Sequence, residues 1–160
     1  MRALSSAGVQ HVVIGGFAVI SHGVGRTTKD LDVVPDPDPS NLERLARCLS
    51  DLDAVQIGVG DFEEAEMPFD PTSAGDLAQG GNFRLESSAG ALDVMQWVSG
   101  IDSDHAYAQL VNEAVAAEVE GIAVRICSLH HLRAMKRAAG RPQDLKDLAD
   151  LAIAHGDDGI

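Results

Sequence analysis

The spacing of apolar and polar positions along the chain changes several times, and each change marks an element. A short helix is expected around Ala3 to Ser6, closed near Gly8. His11 to Ile14 then reads as a buried strand. Gly15-Gly16 leads into a helix over Gly16 to His22, and Asp30 to Val34 reads as a second strand in which Leu31 and Val33 face a core. Pro35-Asp36-Pro37-Asp38-Pro39-Ser40 stops that strand and supplies helix-start chemistry. Leu42, Leu45, Ala46, Leu49 and Leu52 recur at helical spacing over roughly three turns. Arg44 and Arg47 lie on the polar side of that helix, where the expected role is a solvated face rather than an RNA contact.

From Gln56 to Gly81 the chain is irregular and rich in Gly, Asp, Glu and Pro, which fits a substrate-facing lid and a variable insertion equally well. Phe83 to Glu86 and Ala91 to Met95 read as a hairpin joined by Ser87-Ser88-Ala89-Gly90, with Trp97 just beyond it in an expected packing role. A helix around Asp104 to Val111 precedes a second hairpin, Ala114 to Val119 and Ile122 to Ile126, turned at Glu120-Gly121. The end is helical: Ser128 caps Leu129 to Ala139, Gly140 ends that helix, and Pro142 stands near the start of Gln143 to Ala154. The expected fold class is α+β: one domain over 1–160, with a mixed-sheet core in 1–127 and a helical unit in 128–160.

Composition narrows the class without naming a chemistry. The 160 residues are 45% hydrophobic and 23% charged, a globular composition long enough to bury a core. No apolar run approaches ~20 residues and no basic, then apolar leader opens the chain, so a soluble, cytoplasmic protein without a membrane partner is expected. Cys48 and Cys127 lack metal-ligand spacing and read as buried free thiols, and His130-His131 has no partner at zinc spacing. The formal net charge of −13, with three lysines, argues against broad electrostatic binding of nucleic acid. Asp61, Glu63, Glu64, Glu66 and Asp70 concentrate part of that charge in one stretch, read as a solvated loop.

The candidate chemistry sits in the first third. Asp30 and Asp32, separated by Leu31, point the same way from a strand, and two carboxylates ~4 Å apart repel by roughly 4 kcal/mol at an effective dielectric near 20. A divalent cation with oxygen ligands offsets that repulsion. Leu92-Asp93-Val94 repeats the triplet Leu31-Asp32-Val33, which places Asp93 on a neighbouring strand as a third candidate ligand. Gly15 and Gly16 let backbone pass close to a ligand where a helix start offers N–H groups to phosphate. Two plainer accounts stand beside this one: a tight strand-to-helix turn, and aspartates that merely form the polar face of a sheet.

The combination Gly15-Gly16-x-Ala18, His22-Gly23, Arg26-x-Thr28-x-Asp30-x-Asp32, Gly90-x-Leu92-Asp93 and Lys136…Gly140-Arg141-Pro142-x-Asp144…Asp147-Leu148 resembles the nucleotidyltransferase superfamily that includes DNA polymerase beta. It looks most like the AbiEii or DUF6036-type bacterial branch, whose members include toxins of toxin–antitoxin pairs. The resemblance covers nearly the whole chain. It implies a polymerase-beta-like fold with a small mixed sheet flanked by helices, a nucleoside triphosphate as substrate, and two Mg²⁺ ions held by Asp30, Asp32 and Asp93 as catalytic residues. It assigns nucleotide binding to Gly15, Gly16, Arg26 and Lys136, and sets Arg141 against Asp144 or Asp147 at the helix junction. The implied acceptor is a tRNA end, a protein hydroxyl or a small molecule, with a cognate antitoxin as a further partner. Two features depart from the pattern: a long spacer between Gly16 and Asp30, and glycine at position 16, where many members carry a serine whose hydroxyl helps hold the terminal phosphates. A non-catalytic regulatory or antitoxin-like protein on the same fold is the alternative.

Overall fold

The computed structural model describes residues 1–58, 69–102 and 106–156. In chain order these form α1 (Arg2–Ser6), β1 (His11–Val13), α2 (Gly15–Ser21), β2 (Asp30–Pro35), α3 (Pro39–Asp51), β3 (Val55–Gln56) and α4 (Ala74–Leu77). There follow β4 (Asn82–Ser87), β5 (Gly90–Met95), α5 (Ala106–Asn112), β6 (Val115–Val119), β7 (Ile122–Ile126), α6 (Leu129–Ala139) and α7 (Pro142–His155).

One mixed sheet takes all seven strands in the order β3-β4-β5-β2-β1-β7-β6. The central β2 pairs antiparallel with β1 and parallel with β5, and β1 pairs parallel with β7. Strand alternation decides what that centre buries. Leu31 and Val33 of β2, with Leu92 and Val94 of β5, go into the core on one face, which leaves Asp30, Asp32 and Asp93 on the other. Helix α6 lies over that second face. The Ser128 hydroxyl caps it by accepting from the His131 N–H at 3.2 Å, and Gly140 ends it at φ +61°.

The irregular stretch holds more order than its composition suggests: β3 and α4 both fall within it or at its edge. Two and four residues are too short for a hydrophobic period to declare itself. Residues 59–68, with four of the five acids, lie outside the described residues, as do Asp104 and 157–160. Trp97 corrects another expectation, since the residue is 55% exposed and lies outside the core. Cys48 and Cys127 are buried free thiols, and burial pushes the Cys127 thiol up to about 12, which leaves it protonated at neutral pH. Among the described residues no helix is long and apolar enough to cross a membrane.

Candidate functional site

Register brings the carboxylates together. Because β2 and β5 run parallel, Asp32 lies directly beside Asp93 and Asp30 beside Ala91. One oxygen from each of Asp30, Asp32 and Asp93 falls within 4.8 Å of the others. Two of the three carboxylates hold their protons more tightly than usual. Asp32 is pushed up from 3.8 to about 6, first by burial and then by Asp30 and Asp93; Asp93 is also raised, by burial and by Asp30, with Arg84 and Arg141 opposing.

The glycine turn is built onto this cluster. Gly15 sits at φ +63°, and a Cβ there would fall inside the Asp32 carboxylate. Beside it, the Gly16 N–H donates to Asp32, so the first turn of α2 is tied to the triad. A Cβ at position 16 would meet Thr28 Oγ1 at 2.5 Å and Thr28 Cβ at 2.8 Å. Thr28 therefore fills the space that a serine at position 16 would need, and its hydroxyl donates to Asp30 Oδ1 at 2.9 Å. Sequence reading passed over Thr28 as a site residue. Its position two residues before Asp30, close to the strand face that carries the acids, was the available signal.

Around the triad opens a cleft of about 530 Å³ between the sheet and α6, which Gly15, Gly16, Arg26, Lys136 and Arg141 also line. All seven residues given catalytic, metal or nucleotide-binding roles from sequence thus border one space, with Arg141 beside them. Lys136 is not a free cation, however. It is 7% exposed, and its Nζ lies 2.8 Å from Asp144 Oδ1 and 2.7 Å from Asp147 Oδ2. Asp147, at 0% exposed, also receives Arg26 Nη1 at 2.7 Å and Gln143 Nε2 at 2.8 Å.

Arg141 completes the chain of charges, with its Nε 2.6 Å from Asp144 Oδ2 and its side chain 74% exposed. Burial works against the Asp144 charge, yet hydrogen bonds from Arg141 and Lys136 hold its carboxyl below the usual range. Three cations thus face two buried carboxylates. The surplus positive charge stands beside three acids, as a site for a metal-bound polyphosphate requires.

No protein-family model matches the sequence, and no curated protein matches it. A solved structure does resemble it: an antigenic nucleotidyltransferase-like protein from Paracoccidioides brasiliensis, with a TM-score of 0.52 at 17% identity, over 95% of this chain and 71% of that one. The chain therefore has a nucleotidyltransferase-like α+β fold with a helical C-terminus.

Proposed function

We propose that the protein is a Mg²⁺-dependent nucleotidyltransferase that moves a nucleoside monophosphate from a nucleoside triphosphate onto an acceptor hydroxyl. The observation that carries this reading is the meeting of Asp30, Asp32 and Asp93, with Asp32 in register beside Asp93, in a cleft that Arg26, Lys136 and Arg141 also line, together with Asp144, which pairs with Lys136 and Arg141. The donor set fits the ion. All three groups are carboxylates, the preference of a hard divalent cation, and Asp32 carries a proton affinity that a bound cation would relieve. Asp30 and Asp32 would hold one ion and, with Asp93, a second. Such paired ions stabilise the attacking and leaving oxygens of an in-line displacement.

The chain's own residues supply positioning. Gly15 and Gly16 keep side chains out of the phosphate path, the Thr28 hydroxyl borders it, and Arg26 and Arg141 add positive charge where the leaving group gathers negative charge. An Asp93 carboxylate oxygen takes the proton of the acceptor hydroxyl. The acceptor's own oxygen then bonds to the α-phosphorus, the bond from that phosphorus to the bridging oxygen breaks, and pyrophosphate leaves with the electron pair. The resemblance to the AbiEii-type branch extends the proposal to a toxin-like role with a cognate antitoxin, with a tRNA end as the acceptor that resemblance puts first.

Calorimetric titration with each nucleoside triphosphate, with and without Mg²⁺, tests the site. Saturable binding that requires Mg²⁺ and disappears in Asp30→Ala/Asp32→Ala supports the proposal. Binding that ignores both the metal and the substitutions contradicts it.

A further inference from the structure

The last hairpin leaves the sheet with an open edge. β6 ends the strand order, with β7 on one side and no described strand on the other. Its five residues, Val-Ala-Ala-Glu-Val, hold unbroken register with β7 and include no Pro, Lys or Arg, so the usual devices that keep a strand edge from pairing are missing. The opposite edge is blunted by its length, since β3 has two residues. Along β6, Val115 is 49% exposed, Ala116 and Glu118 are exposed, and Ala117 and Val119 are half-buried.

The phase of the hairpin decides which backbone groups face outward. Glu120 and Gly121, at φ +52° and +76°, make a two-residue turn that closes on Val119 and Ile122 as a hydrogen-bonded pair. Bonded pairs recur at every second residue, so Val115, Ala117 and Val119 direct their N–H and C=O groups to β7. Those of Ala116 and Glu118 point away from it, and among the described residues nothing bonds them.

We propose that β6 pairs antiparallel with β6 of a second copy of this chain, with Ala117 on the two-fold axis. In that register Ala116 faces the partner's Glu118 and Glu118 faces the partner's Ala116 as hydrogen-bonded pairs, which satisfies every outward N–H and C=O of both residues. Ala117 meets the partner's Ala117 as a non-bonded pair, where side chains stand closest and small ones fit, and Val115 meets the partner's Val119 on the same face. Charge selects a second copy over an unrelated strand. Beyond the partner's Ala116 stands the partner's Arg125, its register neighbour on β7, so Glu118 faces a cation two strand spacings away, about 10 Å, across a small alanine. Arg125 also acts on Tyr107 within its own chain. No Glu lies opposite a Glu, although each copy carries a net charge of −13. Two five-residue strands bury less than the ~1,200–2,000 Å² of a stable assembly, so the dimer forms and dissociates with concentration. β6 stands three strand spacings, about 14 Å, from β2, and the pairing neither covers nor needs the triad.

Sedimentation velocity of the full chain from micromolar to near-millimolar concentration tests the pairing in wild type, Ala116→Pro, Glu118→Arg, Glu118→Arg/Arg125→Glu and Asp32→Ala. Proline at position 116 removes an outward N–H that the monomer does not use, so the fold tolerates it at an edge, and circular dichroism checks this. The expected result is a concentration-dependent dimer, at least tenfold weaker in Ala116→Pro and in Glu118→Arg, recovered in the double charge exchange and unchanged in Asp32→Ala. Should Ala116→Pro fail to fold, the charge-exchange series decides. Ala117→Cys adds a positional readout: with Cys48 and Cys127 buried, mild oxidation should link two copies through the new thiol, and Ala123→Cys, one strand further in, should not link them. A monomer at every concentration overturns the proposal. So does a dimer that ignores Ala116→Pro or the charge exchange, or one that Ala117→Cys does not link, since it would use another surface.

Discussion

At Asp32 the sheet holds a carboxylate partly out of water with two more beside it, and this sets how the protein responds to pH. Its folded-state value of about 6 lies above the ordinary 3.8. The unfolded chain therefore releases this proton first as pH rises, and the folded state loses stability across pH ~4 to 6. At about 1.4 kcal/mol per unit, the charged residue costs roughly 3 kcal/mol at neutral pH. Asp32→Asn should raise the urea midpoint at pH 7.5, with the gain shrinking as pH falls toward 4; Mg²⁺ should narrow the same gap by stabilising the wild type. An Asp32→Asn protein no more stable than wild type at pH 7.5 without metal would contradict the electrostatic account. Thr28 makes a separate prediction, because its hydroxyl lines the triad cleft and holds Asp30. Thr28→Val should weaken triphosphate binding about tenfold by calorimetry, and Thr28→Ser should restore most of it, a pattern that loss of packing alone does not give.

Helices α6 and α7 are joined by a polar bridge on faces that also bury leucine. Asp144 and Asp147 stand on the inner side of α7 beside Leu151, and Lys136 on the inner side of α6 beside Leu132. Removing one partner of a buried ion pair leaves the other uncompensated, at about 3–5 kcal/mol. Lys136→Met should therefore lower the unfolding free energy by about that amount, measured by urea denaturation, while Lys146→Met, whose own side chain is exposed where it pairs with half-buried Asp150, should change it by under ~1 kcal/mol. Losing the α6 cap in Ser128→Ala should cost about 1 kcal/mol in the same assay. The reach of sequence reading is visible in this unit. A pairing of Arg141 with Asp144 or Asp147 was legible, and it is Asp144, three residues on, that Arg141 meets. Arg26 and Asp147, 121 residues apart, were not, because no local period encodes a tertiary ion pair.

On the scale of the molecule, the sheet converts two short sequence patterns into one site. The strand period showed that Asp30 and Asp32 share a face, and the repeated Leu-Asp-Val triplet placed Asp93 on a neighbouring strand. The parallel register that sets Asp32 beside Asp93 was invisible, because pairing partners are chosen by the whole sheet. Trp97 escaped for a related reason: a ring beyond the end of a strand has no periodic position to mark it as buried or exposed.

Transfer itself is the most direct test. The protein is incubated with Mg²⁺, each nucleoside triphosphate labelled at the α-phosphate, and in turn total tRNA, cell protein and kanamycin, beside Asp32→Ala. The account predicts label joined to one acceptor class and pyrophosphate released in equal amount, both only with Mg²⁺ and an intact Asp32. Saturable triphosphate binding with no label moved onto any acceptor and no pyrophosphate formed would contradict it.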